Sequence, residues 1–298
     1  MKKIIVWLAV MMYTLSGYAQ DANFHIYLCL GQSNMEGNAK VEEQDTVAVD
    51  SRFQVLAAVD CPNLGRTKGN WYKAVPPLAR CYTGLTPGDY FGRAMVANLP
   101  SNVQVGIINV AVGGCKIELF DKDNYQSYVE TSPDWLKNMV KEYGGNPYAR
   151  LVEMAKLAQK DGVIKGILLH QGESNTNDKD WPSKVKGVYD NLLKDLGLSA
   201  ADVPLLAGEV VHADQNGICA SMNTIIDSLP QVIPTAHVIS SAGCPAAFDN
   251  LHFTAEGYRM LGARYAAKML SILGYGDWMS AQNMKLWYNR PAQDWLEA

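Results

Sequence analysis

The stretch Phe24-His25-Ile26-Tyr27-Leu28-Cys29-Leu30-Gly31-Gln32-Ser33-Asn34-Met35 decides how the rest of the chain is read. Phe24 to Leu30 is a short, nearly unbroken apolar run of strand length, the pattern of a strand covered on both faces. Gly31 and Gln32 end it, and Ser33 then stands where a helix would begin. Working outward, further short apolar runs at Val103 to Val110, Ile164 to Leu169, Val203 to Ala207 and His237 to Ser240 also read as strands. Between them, apolar residues recur every three or four positions over Tyr90 to Leu99, Tyr148 to Gln159, Lys184 to Leu196, Ile218 to Leu229 and Ala255 to Leu273, which predicts helices. Strand followed by helix, repeated, argues a parallel sheet with helices on both faces, an α/β fold in three layers.

In such a sheet, ligands bind outside the carboxyl ends of the strands, so the residues following each strand are where chemistry is sought. Strand one is followed by Gly31-Gln32-Ser33-Asn34-Met35, strand two by Ala111-Val112-Gly113-Gly114, and strand three by His170-Gln171-Gly172-Glu173-Ser174-Asn175. Asp249-Asn250-Leu251-His252 comes after the last strand. A hydroxyl nucleophile requires a base, a group that orients the base, and donors aimed at the developing oxyanion. Ser33 offers the hydroxyl, although a serine in this position also serves as an ordinary helix cap. His252 follows Asp249 by three positions, so one short loop can present both side chains with the carboxylate on Nδ1. Glu173 is an alternative orienting acid, and the sequence leaves that choice open. Gly113 and Gly114 let backbone approach a ligand closely, and the Gln171 amide is a candidate oxyanion donor. Met35 stands where the second glycine of a G-x-S-x-G elbow would be, which disfavours an ordinary α/β-hydrolase.

Composition narrows the function class. Hydrophobic residues make up 48% of the 298, enough for a sizeable core, and 26 Lys and Arg against 30 Asp and Glu give a net charge of -4. That balance gives no basic footprint for nucleic acid. Lys2 and Lys3 ahead of the apolar run Ile4 to Tyr13, with small residues at Gly17-Tyr18-Ala19, predict a signal peptide over 1–19 and hence a secreted or periplasmic protein. The run is too short for a membrane span of about 20 residues, so no stable membrane insertion is expected. Six cysteines are compatible with disulfides in an oxidising compartment. Cys61 with Cys81, and Cys219 with Cys244, are the plausible pairs, and Cys29 is expected as a buried thiol. Neither C-x-x-C nor H-E-x-x-H occurs, so no metal and no cofactor are expected.

Taken together, the four segments resemble the SGNH hydrolases, and among them the carbohydrate esterase family 6 and sialate O-acetylesterase-like branch. G-Q-S-N-M stands at Gly31 to Met35, the Gly-Gly turn at Gly113 and Gly114, H-Q-G-E-S at His170 to Ser174, and D-x-L-H-F at Asp249 to Phe253. The resemblance covers about Phe24 to Leu273. It implies a flavodoxin-like three-layer α/β/α domain over 20–275 and a metal-free serine esterase that removes acetyl groups from sugar hydroxyls, commonly those of xylan. It also implies Ser33 as nucleophile, His252 as base, Asp249 or Glu173 as acid, and the N–H groups of Ser33 and Gly114 with the Gln171 side chain as oxyanion donors. A sialate O-acetylesterase, a lipase-like relative and a sugar-binding relative without catalysis are the competing readings. The expected partner is an acetylated oligo- or polysaccharide, with Trp71, Tyr72, Tyr82 and Trp181 as candidate stacking surfaces. The tail, 276–298, contains Lys285-Leu286-Trp287-Tyr288 and Trp295-Leu296-Glu297-Ala298. It resembles the opening of glycoside hydrolase family 95 domains, which implies a fused glycoside hydrolase; the competing reading is a tail that packs its Trp residues onto the surface of the 20–275 domain.

Overall fold

The computed structural model describes residues 20–276. The expected leader, 1–19, and the expected tail, of which Gly276 alone is included, lie outside the described residues.

Seven strands form one sheet: β1 (Asp21–Gly31), β2 (Phe53–Leu56), β3 (Trp71–Lys73), β4 (Gln104–Ala111), β5 (Gly162–His170), β6 (Leu205–Gly208) and β7 (Ala236–Ile239). Their order across the sheet is β3-β2-β4-β1-β5-β6-β7, and every neighbouring pair is parallel except β2 with β3. The opening stretch is therefore the central strand, with β4 on one side and β5 on the other.

Its alternation explains the layers, because successive side chains of a strand point to opposite faces. Ile26, Leu28 and Leu30 pack with Leu151 and Ala155 of the Pro147–Ala158 helix and Val185 and Leu192 of the Trp181–Leu196 helix. Tyr27 and Cys29 pack on the other face with Phe91 and Ala94 of the Pro87–Asn98 helix and Leu261 and Tyr265 of the Ala255–Ile272 helix. Each fully buried aliphatic side chain contributes about 1.5 to 3 kcal/mol, so the central strand is held from both sides. The three-layer α/β/α architecture is as expected.

Two expectations need correction. Ile218 to Leu229 is not one helix but a 3-10 turn at Ala220–Met222 and single helical turns at Asn223–Ile226 and Leu229–Val232. Asn223 turns its amide onto the backbone N–H and C=O of Val210 at 2.9 and 3.1 Å, and Pro230 has no N–H to continue a helix. Cys61 and Cys81 are bonded, with Cα atoms 5.3 Å apart, and Cys29 is a buried free thiol. Cys219 and Cys244, however, are both free: Cys244 is buried in the core on one face of the sheet, and Cys219 packs against the core on the other.

Candidate active site

The strand order switches at β1: β2, β3 and β4 all lie on one side of it, and the chain then crosses to β5, β6 and β7 on the other. The crevice at such a switch point is where the loops after β1, β4 and β5 meet. Gly31 lets the first and third approach closely. With φ +151°, it lies where a Cβ would stand 2.0 Å from the His170 carbonyl oxygen.

Ser33 begins a single helical turn, Ser33–Glu36, with Gln32 rather than Ser33 in the capping position. The serine hydroxyl is therefore not taken up as a cap. Its Oγ lies 2.8 Å from His252 Nε2, and His252 Nδ1 lies 2.7 Å from Asp249 Oδ2. The loop that makes this contact is shaped by Asp249 itself, whose Oδ1 accepts the N–H groups of Leu251 and His252, each at 3.0 Å. Asn250 turns the chain at φ +53°, a conformation that asparagine tolerates. Thr254 then caps the last helix through the Gly257 N–H at 3.2 Å. Burial opposes ionisation of Asp249, but the hydrogen bonds from His252 and the two backbone N–H groups outweigh it and hold the carboxyl below its ordinary value.

The N–H groups of Ser33 and Gly114 have no acceptor among the described residues. Gly114, at φ +70°, is fixed by its carbonyl, which accepts from Ser174 Oγ at 3.0 Å. The Gly113 N–H donates to Glu36 Oε1 at 3.1 Å, and Arg80 pairs with Glu36 and with Glu142. A base oriented by a carboxylate, a hydroxyl on that base, and free N–H donors nearby can open an ester by acyl transfer.

A model of the family described as "Carbohydrate esterase, sialic acid-specific acetylesterase" matches residues 23–271. The chain belongs to this family of carbohydrate acetylesterases. It is thereby a carboxylic ester hydrolase. The acetylesterase is 26% identical over 262 residues to a probable carbohydrate esterase, At4g34215, of Arabidopsis thaliana, covering 83% of this chain and 90% of that one. The X-ray structure of that Arabidopsis protein superimposes with a TM-score of 0.64 at 21% identity, over 83% and 98% of the two chains. A crystal structure of NanS gives 0.61 at 15% identity over 86% and 99%. XAC1771, a carbohydrate acetylesterase from Xanthomonas citri, gives 0.57 at 18% over 83% and 56%. At these identities the superpositions speak for the fold.

The acetylesterase places its expected site residues unequally. Ser33, His252 and Asp249 come together, and Gly113, next to Gly114 in the chain, lies against the Ser33 side chain. Glu173 does not reach His252: its Oε1 accepts from Asn34 Nδ2 at 2.5 Å, and its nearest histidine is His170, at 3.7 Å. Gln171 is 1% exposed, and its amide nitrogen faces Asn175 Oδ1, Gln32 Oε1 and the Cys115 carbonyl at 2.8 to 3.2 Å. Both of its N–H groups are therefore engaged inside the protein, and the expectation of an oxyanion donor there is corrected.

The aromatic expectations divide in the same way. Tyr82 is 89% exposed on the wall of a cleft. Trp181 is fully buried and donates its indole N–H to Gln171 Oε1. Trp71 packs on Phe24, ring centres 4.8 Å apart, and bonds Asp161 just before β5, so it faces the amino ends of the strands, away from Ser33. Tyr72 of β3 pairs with Val55 of β2, and its hydroxyl accepts the Thr67 N–H.

Sequence reasoning missed two residues. Asn34 ties the nucleophile's turn to the histidine loop, because its Nδ2 also donates to the Leu251 carbonyl at 3.1 Å while Tyr258 donates to its Oδ1 at 2.6 Å. Its place beside Ser33 in the G-Q-S-N-M segment was the available signal. Glu36, which holds Gly113, had no signal beyond its position one turn after the nucleophile.

Proposed function

We propose that the protein removes acetyl groups from sugar hydroxyls through an acetyl-Ser33 intermediate, acting on plant cell-wall polysaccharide such as xylan. One observation carries the reading: the continuous line Ser33 Oγ to His252 to Asp249, at 2.8 and 2.7 Å. His252 Nε2 takes the Ser33 proton as Oγ attacks the acetyl carbonyl, and Asp249 holds the Nδ1 proton in place. The tetrahedral intermediate expels the sugar alkoxide, which receives the proton from His252. Water, activated by the same histidine, then attacks the acetyl-enzyme and releases acetate and free Ser33.

The sugar's place is the cleft of about 720 Å³ lined by Glu36, Asn38, Arg80, Tyr82 and Glu142. It adjoins the nucleophile, because Gly113 sits between Glu36 and Ser33. Tyr82 offers an exposed ring face for a pyranose. Arg80 is held by Glu36 and Glu142, so it is not free for a substrate carboxylate, which favours a neutral acetylated sugar over a sialate. Export is part of the same reading: the Lys2-Lys3 leader pattern and the Cys61–Cys81 bond both suit an oxidising compartment.

Mass spectrometry of acetylated xylo-oligosaccharides before and after incubation tests the reading. Loss of acetyl groups by the wild type, with none by Ser33→Ala, is expected. Intact substrate beside rapid turnover of O-acetyl sialate or of long-chain acyl esters would replace it.

A further inference from the structure

We propose that Gln32 supplies the side-chain N–H of the oxyanion hole and that Gln171 is the positioning residue that aims it. The proposal rests on the esterase reading and identifies which side chain completes that site.

The argument begins with the geometry of two facing amides. Gln32 Oε1 accepts from Gln171 Nε2 at 3.1 Å, from the Ser174 N–H at 3.2 Å and from the Gly172 N–H at 3.5 Å. Oxygen and nitrogen of a glutamine amide are told apart by their partners. Two backbone donors settle which end of Gln32 is the oxygen. Its Nε2 is therefore the other branch of the amide, and it has no acceptor among the described residues. Nor is Nε2 among the sealed, unpartnered atoms of the interior, although Gln32 as a whole is 2% exposed. A nearly buried glutamine whose oxygen is held by three donors and whose nitrogen opens to solvent is a preorganised hydrogen-bond donor.

Its neighbours are those of the reacting carbonyl. Gln32 directly precedes Ser33. Ser174, which donates its N–H to Gln32, also fixes the Gly114 carbonyl through its hydroxyl. Ser33 and Gly114, whose N–H groups have no acceptor among the described residues, are thus both linked to this amide, one through the chain and the other through Ser174. When Oγ attacks, charge moves onto the carbonyl oxygen, and donors held in advance by other hydrogen bonds stabilise it with no reorganisation. Gln171 cannot do this itself. Its Oε1 is tied to the buried Trp181 indole, and its Nε2 to Asn175, Cys115 and Gln32. Gln171 therefore acts through Gln32, as do the backbone N–H groups of Gly172 and Ser174.

Hydrolysis of 4-nitrophenyl acetate by the full chain tests the assignment without depending on the sugar. Loss of one oxyanion donor lowers kcat by roughly a hundred- to a thousandfold, so Gln32→Ala is expected in that range with KM changed by less than about threefold. Affinity for a small alkylboronic acid, which forms a tetrahedral adduct with a nucleophilic serine, is expected to fall in parallel. Gln32→Glu keeps the oxygen acceptor and replaces the donor by an anionic oxygen, and it serves if the alanine variant does not fold. Gln171→Ala is expected to cost less, and to cost nothing further in a Gln32→Ala background, because coupled residues are not additive. Wild-type kcat in Gln32→Ala, or a further loss from Gln171→Ala in that background, would overturn the proposal. Turnover that survives Ser33→Ala in the same assay would overturn the esterase reading and the proposal with it.

Discussion

Two histidine–carboxylate pairs occur in this protein at the same spacing, three residues apart, and they do opposite things. In Asp249-x-x-His252 the ring nitrogen and the carboxylate oxygen are 2.7 Å apart, and the other nitrogen meets Ser33. In His170-x-x-Glu173 the separation is 3.7 Å, both imidazole nitrogens lack a hydrogen-bond partner among the described residues, and the histidine is wholly buried. Burial, helped by the nearby His252, pushes the His170 pKa down to about 3, so that ring stays neutral. Burial also raises Glu173 against the hydrogen bond from Asn34. Spacing alone does not make a catalytic pair. A loop that leaves one ring nitrogen at a nucleophile does, whereas a strand end that seals the ring in the core gives a packing element with a linked carboxylate.

The comparison breaks most visibly if the first pair is not the working one. Ser33→Ala is expected to lower kcat on 4-nitrophenyl acetate by at least about a thousandfold, since a catalytic unit fails when one member is removed. Retention of half the activity would end the assignment.

Exchanging the acids sharpens it. Asp249→Asn is expected to lower kcat by roughly a hundredfold or more, because the wrong histidine tautomer is favoured. Glu173→Gln is expected to remain within about tenfold, since the glutamine can still hold Asn34 and does not touch His252. The reverse order in steady-state kinetics would transfer the orienting role to Glu173.

The buried pair has a thermodynamic signature instead. Below about pH 6.5 the unfolded chain takes up a proton on His170 that the folded protein refuses until about pH 3. Stability is therefore lost as pH falls through that window, by at most about 1.4 kcal/mol per pH unit for one proton. Glu173 acts in the opposite sense, because its raised pKa gives stability at low pH that is lost as pH rises. Denaturation of wild type and His170→Leu at pH 7 and pH 5 isolates the histidine: the stability gap is expected to move in favour of the variant at pH 5. A constant gap would mean that the folded protein protonates His170.

The smallest expected effect lies at the cleft wall. Tyr82→Ala is expected to raise KM for acetylated oligosaccharide severalfold and to leave 4-nitrophenyl acetate kinetics unchanged, as loss of one stacking face would. Equal effects on both substrates would place Tyr82 outside the sugar's path.

Much of this site is legible in the sequence. The central strand, the serine after it, the glycine pair and the Asp-x-x-His loop were each readable because strand-end positions in a parallel sheet are local in sequence. The short strands β2 and β3 were not, since four and three residues are too few to show a period. Nor was the fate of Trp71, Trp181 and Gln171. A tryptophan reads alike whether it stacks on a sugar or fills a core, and a glutamine amide reads alike whether it faces solvent or three internal acceptors.

The sequence by itself determined the layer order and the chemical types available at each strand end, because side-chain alternation and helical periodicity are properties of the chain alone. Tertiary structure decided which of two acids meets His252, which cysteines bond, and which glutamine is free to donate. Those outcomes depend on distances between loops more than a hundred residues apart, such as Ser33 and His252. Such distances are fixed only when the sheet brings its carboxyl ends together.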